Sequence, residues 1–253
     1  MPVVPFSSVL DDPAGLPGYR RRIRVQAAPG FAMAMLEDDY HCMSVGLEHD
    51  GHVVTAVIPA MYREPWTTCP GAIAQLRETF TGAPLSDVTA RRDKPRNCTH
   101  LHDLAVLAAG HAGQAGRLDY DIRVSDPVDG RRILDLRRDG RPLLRWIEQD
   151  GALTTPEGAA GCNLMALRDW IAGLDPAARE PARLLQWAAI VAHGRTLPSS
   201  AMDDARRMPP NCFTFQPERA AVTRRIGRIV DFSAGGRQPL DGIGGELIAR
   251  VES

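Results

Sequence analysis

The chain has 253 residues, 44% of them hydrophobic and 24% charged, with a formal net charge of -1. That is an ordinary globular composition. Near-neutrality argues against nucleic acid as a main partner, because phosphate binding needs a clear basic excess. No run approaches the roughly 18 apolar residues of a membrane span. The partners expected are a small-molecule substrate and, as a possible homodimer, a second copy of the chain.

Residues 1–18, "MPVVPFSSVLDDPAGLPG", lack a basic stretch followed by an apolar core, so they read as an extended arm and not a signal peptide. The five cysteines are odd in number and widely spaced. Without an export signal they are expected as reduced thiols in a cytoplasm. CxxC, GxSxG, HExxH and a Gly-rich nucleotide loop are all absent. This removes nucleotide-dependent dehydrogenases, P-loop enzymes, elbow-type serine hydrolases and zincins.

In chain order, "YRRRIRV" alternates basic and apolar residues and reads as an exposed strand face. Residues 19–26 and 31–37 carry strand formers. "MSVGLE" and "HVVTAVI" flank Asp50-Gly51 as a hairpin, and Pro59 suits an edge. Pro70 fits the first turn of a helix through "GAIAQLRETF", with Ile73, Leu76 and Phe80 as its apolar stripe. Residues 81–96 read as a loop. Leu101, Leu104, Ala105 and Ala108 recur at helical spacing, with Asn97 or Thr99 as the cap.

A second β segment follows. "LDYDIRVSD", "RRILDLRRDG" and "RPLLRWIEQDG" form a meander turning at Asp129-Gly130 and Asp139-Gly140. Helices are expected at "CNLMALRDWIAGL" and "EPARLLQWAAIVAHGR", then short strands at "CFTFQ" and "RRIGRIVDF". This order predicts an α+β fold. Its antiparallel sheets lie in two β-meander/helix sub-lobes, about 19–117 and 118–253, sharing one core.

Three stretches carry candidate chemistry. If "FAMAMLEDDYHCMSVGL" is one strand, Met33, Met35, Glu37, Asp39, His41, Met43, Val45 and Leu47 share a face. Ionisable groups among apolar neighbours must then pair or do work. A carboxylate, Asp39 or Asp38, would orient His41 as a general base. The alternative is a tight turn at Asp38-Asp39 that leaves the acids in water. In "REPWTTCPGA", Cys69 precedes a helix N-terminus, which lowers a thiol's pKa. Arg63 could hold a substrate carboxylate or phenolate, and Trp66 and Tyr40 could line its pocket. The bland reading of Cys69 is a small buried residue. In "NCTHLHDLA", Cys98 and His100 open a helix. With Cys69 and His41 they could form a soft site for zinc or an iron–sulfur cluster, although the spacing fits no standard zinc module. His100 could instead pair with Asp103.

The motifs "HCMSVGLEHDGHVV", "PWTTCPGA" and "CTHLHDLA", followed by "YDIRV", "GRPLLRW", "AHGR", "CFTFQP" and "RRIGRIVDF", resemble the bacterial domain of unknown function 2889 family. The likeness runs from about residue 19 to 235. It singles out His41, Cys69, Cys98 and His100 as recurring polar positions. The connection between "LED" and "YHCM" is shorter here than in longer members. The resemblance implies small-molecule catabolism. A cofactor-independent lyase (retro-aldol or decarboxylation type) or hydrolase acting on an aromatic metabolite is expected, with His41, Asp39, Cys69 and His100 as catalytic candidates. The alternative is a zinc or iron–sulfur scaffold using Cys69, Cys98 and His100.

Overall fold

The computed structural model describes residue 13 and residues 15–91, 93–197, 203–226 and 229–243. Most of the expected N-terminal arm lies outside them. Strands β1 (Gly18–Ala28), β2 (Phe31–Asp38), β3 (Cys42–His49) and β4 (Val54–Arg63) lead to helices α1 (Ala72–Phe80), α2 (Leu85–Ala90) and α3 (Thr99–His111). Strands β5 (Gly116–Ser125), β6 (Arg131–Arg138), β7 (Arg141–Gln149) and β8 (Ala152–Thr155) follow, then α4 (Arg168–Gly173) and α5 (Pro176–His193). The strands hydrogen-bond in the order β4-β3-β2-β1-β5-β6-β7-β8 in an antiparallel sheet, so the fold is α+β. Among the described residues no helix is long and apolar enough to cross a membrane.

The chain divides into two compact units, one built from residues up to 22, 119–197 and 231–238, the other from 23–118, 198–230 and 239–253. In the first, β5–β8 form the expected meander with one further strand. Its turns place Asp129-Gly130, Asp139-Gly140 and Asp150-Gly151 at positive φ (48° and 76°, 50° and 76°, 52° and 85°). Asp and Gly tolerate that left-handed geometry, which matches the strand twist. "YRRRIRV" is not an exposed face. Arg20 donates to the carbonyls of Pro13 and Leu16 at 2.8 and 2.6 Å. Arg21 is buried with its guanidinium 4.5 Å from the Trp187 ring centroid. Arg22 pairs with Asp121 at 2.6 Å. Each charge enters the interior with a partner, which alternation alone cannot reveal.

In the second unit every residue of β2 is buried, because both faces of the strand are covered. Phe31, Met33 and Met35 pack with Leu240, Ile58 and Ile243. The pleat sends Ala32, Ala34 and Leu36 to the opposite face, and α3 packs on β2 and β3 through buried Leu101, Leu104, Ala105 and Ala108. Small residues on both elements allow helix and sheet to approach closely. Gly46 serves the other face, where an added Cβ would sit 2.9 Å from the Phe31 ring.

The 31–47 stretch is two strands. β2 pairs with β3 from Phe31↔Glu48 to Glu37↔Cys42, with Leu36 opposite Met43, Ala34 opposite Val45 and Ala32 opposite Leu47. Directly opposed residues share a face, so Met43, Val45 and Leu47 lie opposite to Met33 and Met35 and not beside them. Four further expectations are corrected. Residues 81–96 contain α2 and a 3-10 turn at Lys94–Arg96. Cys98, not Asn97 or Thr99, is the N-cap of α3. Residues 212–216 form turns, not a strand. Around "RRIGRIVDF" the described residues form an isolated bridge, Arg225 to Trp66, in place of a strand, and residues 227 and 228 lie outside the described set. Pro59 does sit on an edge strand, since β4 ends the sheet.

If α3 holds this unit together by apolar packing, Leu104→Ala should lower its unfolding free energy by about 2–5 kcal/mol. Urea denaturation followed by circular dichroism measures this. Ile73→Ala, at a half-buried position, should cost clearly less.

Candidate functional site

The β2–β3 connection is three residues long and is organised by one carboxylate. Asp38 ends β2 and is fully buried. Its Oδ1 accepts the backbone N–H groups of Tyr40 at 2.8 Å and His41 at 2.7 Å. This Asx-type capture of the next residues is what Asp does at turns. The same carboxylate lies 3.1 and 3.3 Å from His41 Nδ1. An ionised carboxylate can only accept, so Nδ1 is the donor, and in the neutral ring Nε2 is then the nitrogen with the lone pair. Nε2 has no hydrogen-bond partner among the described residues.

Asp38 is therefore the acid that orients His41. Asp39, the other candidate, is also buried, and its backbone carbonyl accepts the N–H of Val230 at 2.9 Å. The tight turn exists, yet it does not leave the acids in water. Tyr40 is buried with its ring edge toward His41, the centroids 6.2 Å apart.

His100, in the first turn of α3, stacks on His41 with ring centroids 3.8 Å apart and planes 27° from parallel. Both are about 8% exposed. The Asp38 face of β2 is the α3 face, so strand pleat and helix start bring together residues 59 positions apart. One suitable donor atom from each of Asp38, His41 and His100 falls within 4.8 Å of the others. Two imidazolium rings stacked this closely would repel by about 4 kcal/mol at an effective dielectric of about 20.

Among the described residues the cysteines do not join this group. Cys69 opens a 3-10 turn, Cys69–Gly71, that runs into α1. Its Sγ accepts a hydrogen bond from the Thr214 hydroxyl at 3.4 Å. Burial pushes the thiol up to about 11, the Thr214 bond only partly offsetting it. Cys98 is raised further, again chiefly by burial and then by Cys69. Burial thus raises a thiol that its place at a helix start was expected to lower. Among the described residues Cys69, Cys98 and His100 do not form a group of donor atoms within 4.8 Å of one another.

Arg63 turns one guanidinium nitrogen onto the backbone of the turn. Its Nη2 donates to the carbonyls of Asp38 and His41, the latter at 3.2 Å, and lies 3.3 Å from Glu37 Oε1. Trp66 is buried with Cys69, Ala205 and Ala220, edge-on to Phe215. A surface hollow of about 410 Å³ is lined by Asp203, Asp204, Arg206, Arg207 and Thr223 among others, and none of the expected site residues lines it.

Sequence reasoning missed Arg63's backbone role and the Thr214–Cys69 contact. The first had a readable signal, since an arginine near the end of a strand can return to a neighbouring turn. The second joins residues 145 apart and had none. No protein-family model matches the chain, and no curated protein sequence matches it.

Because the folded Cys69 thiol holds its proton to about 11 while the unfolded one releases it near 9.0, the contribution is complete below pH 9 and is lost as pH rises to 11. Stability should fall there by up to about 1.4 kcal/mol per pH unit from this group. Cys69→Ala should flatten that slope in urea titrations. At pH 7.5 iodoacetamide should leave Cys69 unlabelled in the folded protein.

Proposed function

We propose that this protein is a small-molecule enzyme in which His41 Nε2 is the general base. Asp38 fixes the tautomer through Nδ1, and His100 is the second acid–base group. The observation that carries this reading is the buried Asp38–His41 pair, whose remaining ring nitrogen has no partner among the described residues and lies beside a second imidazole. A carboxylate-oriented imidazole suits proton abstraction near neutral pH. The raised thiols argue against a cysteine nucleophile, so Cys69 leaves the proposed catalytic set.

The reaction class we favour is a lyase of the retro-aldol type. His41 takes the proton of a β-hydroxyl, its oxygen forms a C=O as the adjacent C–C bond breaks, and the released enolate carbon takes a proton from His100. The proposed membership of the domain of unknown function 2889 family supports an aromatic catabolic substrate, since the motifs it shares include His41 and His100.

A second reading has one observation in its favour, the convergence of Asp38, His41 and His100 on a space a divalent cation such as zinc could enter. Imidazole lone pairs lie in the ring plane, however, and stacked rings project them side by side. Metal binding would require the rings to rotate, so the acid–base reading fits the geometry better.

Purified protein incubated with aromatic β-hydroxy acids and ketones should release an aldehyde or keto product. His41→Ala and Asp38→Asn should lower the rate by at least about 100-fold, the upper part of what one acid–base group contributes. Undiminished turnover in His41→Ala would remove the proposed base. Elemental analysis of the same sample decides the second reading, which requires about one zinc per chain bound through His41 and His100.

A further inference from the structure

We infer that Arg63 is a positioning residue that sets the Asp38–His41 geometry, acting through the turn's backbone and not through substrate. This rests on the acid–base reading of His41 for its importance, although the geometric claim stands by itself. Arg63 ends β4, opposite Cys42 at the start of β3. One nitrogen, Nη2, reaches the carbonyl of Asp38, the carbonyl of His41 and the carboxylate of Glu37. These three acceptors sit on the last residues of β2 and the last residue of the turn. The Asp38 N–H donates to the His41 carbonyl at 2.8 Å and closes the same loop.

The turn is thus held from two sides. From inside, the Asp38 carboxylate gathers the N–H groups of residues 40 and 41. From outside, the Arg63 guanidinium gathers the carbonyls of 38 and 41. A turn of this length leaves several carbonyls with no strand partner, and a buried carbonyl left unpaired is costly. A guanidinium suits this task, being always charged and carrying several donors in a rigid plane. Glu37 ties the guanidinium down in turn. Its Oε1 faces Arg63 while its Oε2 accepts the Leu240 N–H at 2.7 Å. Leu240 is itself held at φ 67°, in the left-handed region, and is buried against Phe31, Met33 and Met35. The chain from Leu240 through Glu37 and Arg63 to His41 is continuous, and every side chain in it is less than about one-sixth exposed.

The test uses the whole chain and reads the His41 ring directly. In wild type, ¹⁵N NMR of His41 should show one tautomer, protonated at Nδ1, with that proton slow to exchange. Nε2 should react steadily with diethylpyrocarbonate. In Arg63→Gln the Nδ1 signal should broaden into a mixture of tautomers, and the rate of Nε2 modification should change at least threefold. Arg63→Lys, which keeps the charge and should preserve folding, should show the same change in smaller degree. Millimolar guanidinium should restore the wild-type spectrum in Arg63→Ala but leave wild type unaltered. Tautomer and reactivity unchanged in both Arg63→Lys and Arg63→Gln, with native circular dichroism, would overturn the inference. Loss of the tautomer without any aromatic turnover by wild type would leave the positioning role intact and overturn the enzyme reading alone.

Discussion

The burial of the Asp38 carboxylate at the end of a strand is the constraint on which the rest of this site depends. A charged group out of water must be matched by donors. Asp38 finds them in the next three residues, two from the backbone and one from the imidazole of His41. Satisfying the charge makes the turn and aims the ring in one act. The opposing guanidinium of Arg63 takes the carbonyls of Asp38 and His41, so a connection of three residues is held from both sides.

The sheet and α3 supply what the turn lacks. Alternation along β2 puts Ala32, Ala34 and Leu36 under α3, and the close approach of small residues brings the first helical turn down beside the end of the strand. His100 arrives there by that route and lies flat on His41. Cys69 at the turn into α1 and Cys98 at the cap of α3 itself lie in the same unit, yet they are buried as neutral thiols. A helix N-terminus favours an anion only where solvent or a counter-charge shares the work. Around Cys69 the apolar cluster with Trp66, Ala205 and Ala220 decides the balance instead.

Much of the architecture was legible along the chain. The Asp-Gly dipeptides marked the hairpin turns because only a few residue types accept their backbone angles. The apolar spacing at Leu101, Leu104, Ala105 and Ala108 marked α3. Legibility failed where a second layer covered a surface: β2 is buried on both faces, the arginines of β1 are internal, and residues 85–90 coil into α2 despite their polarity. His41 and His100 were readable as candidates because ionisable groups interrupt apolar patterns. Which acid served His41 was not readable, since Asp38 and Asp39 are adjacent and only the backbone path through the turn separates them.

The amino-acid sequence by itself determined the class of fold, the hairpins, the principal helices and the residue types able to transfer protons. Periodicity and turn chemistry are local properties and survive without knowledge of distant neighbours. Only the tertiary structure decided that His100 stacks on His41, that Arg63 grips a turn, and that Cys69 is silenced by burial. Each of those outcomes is set by what lies across space, where desolvation and pairing between distant segments outweigh anything a residue's sequence neighbours impose.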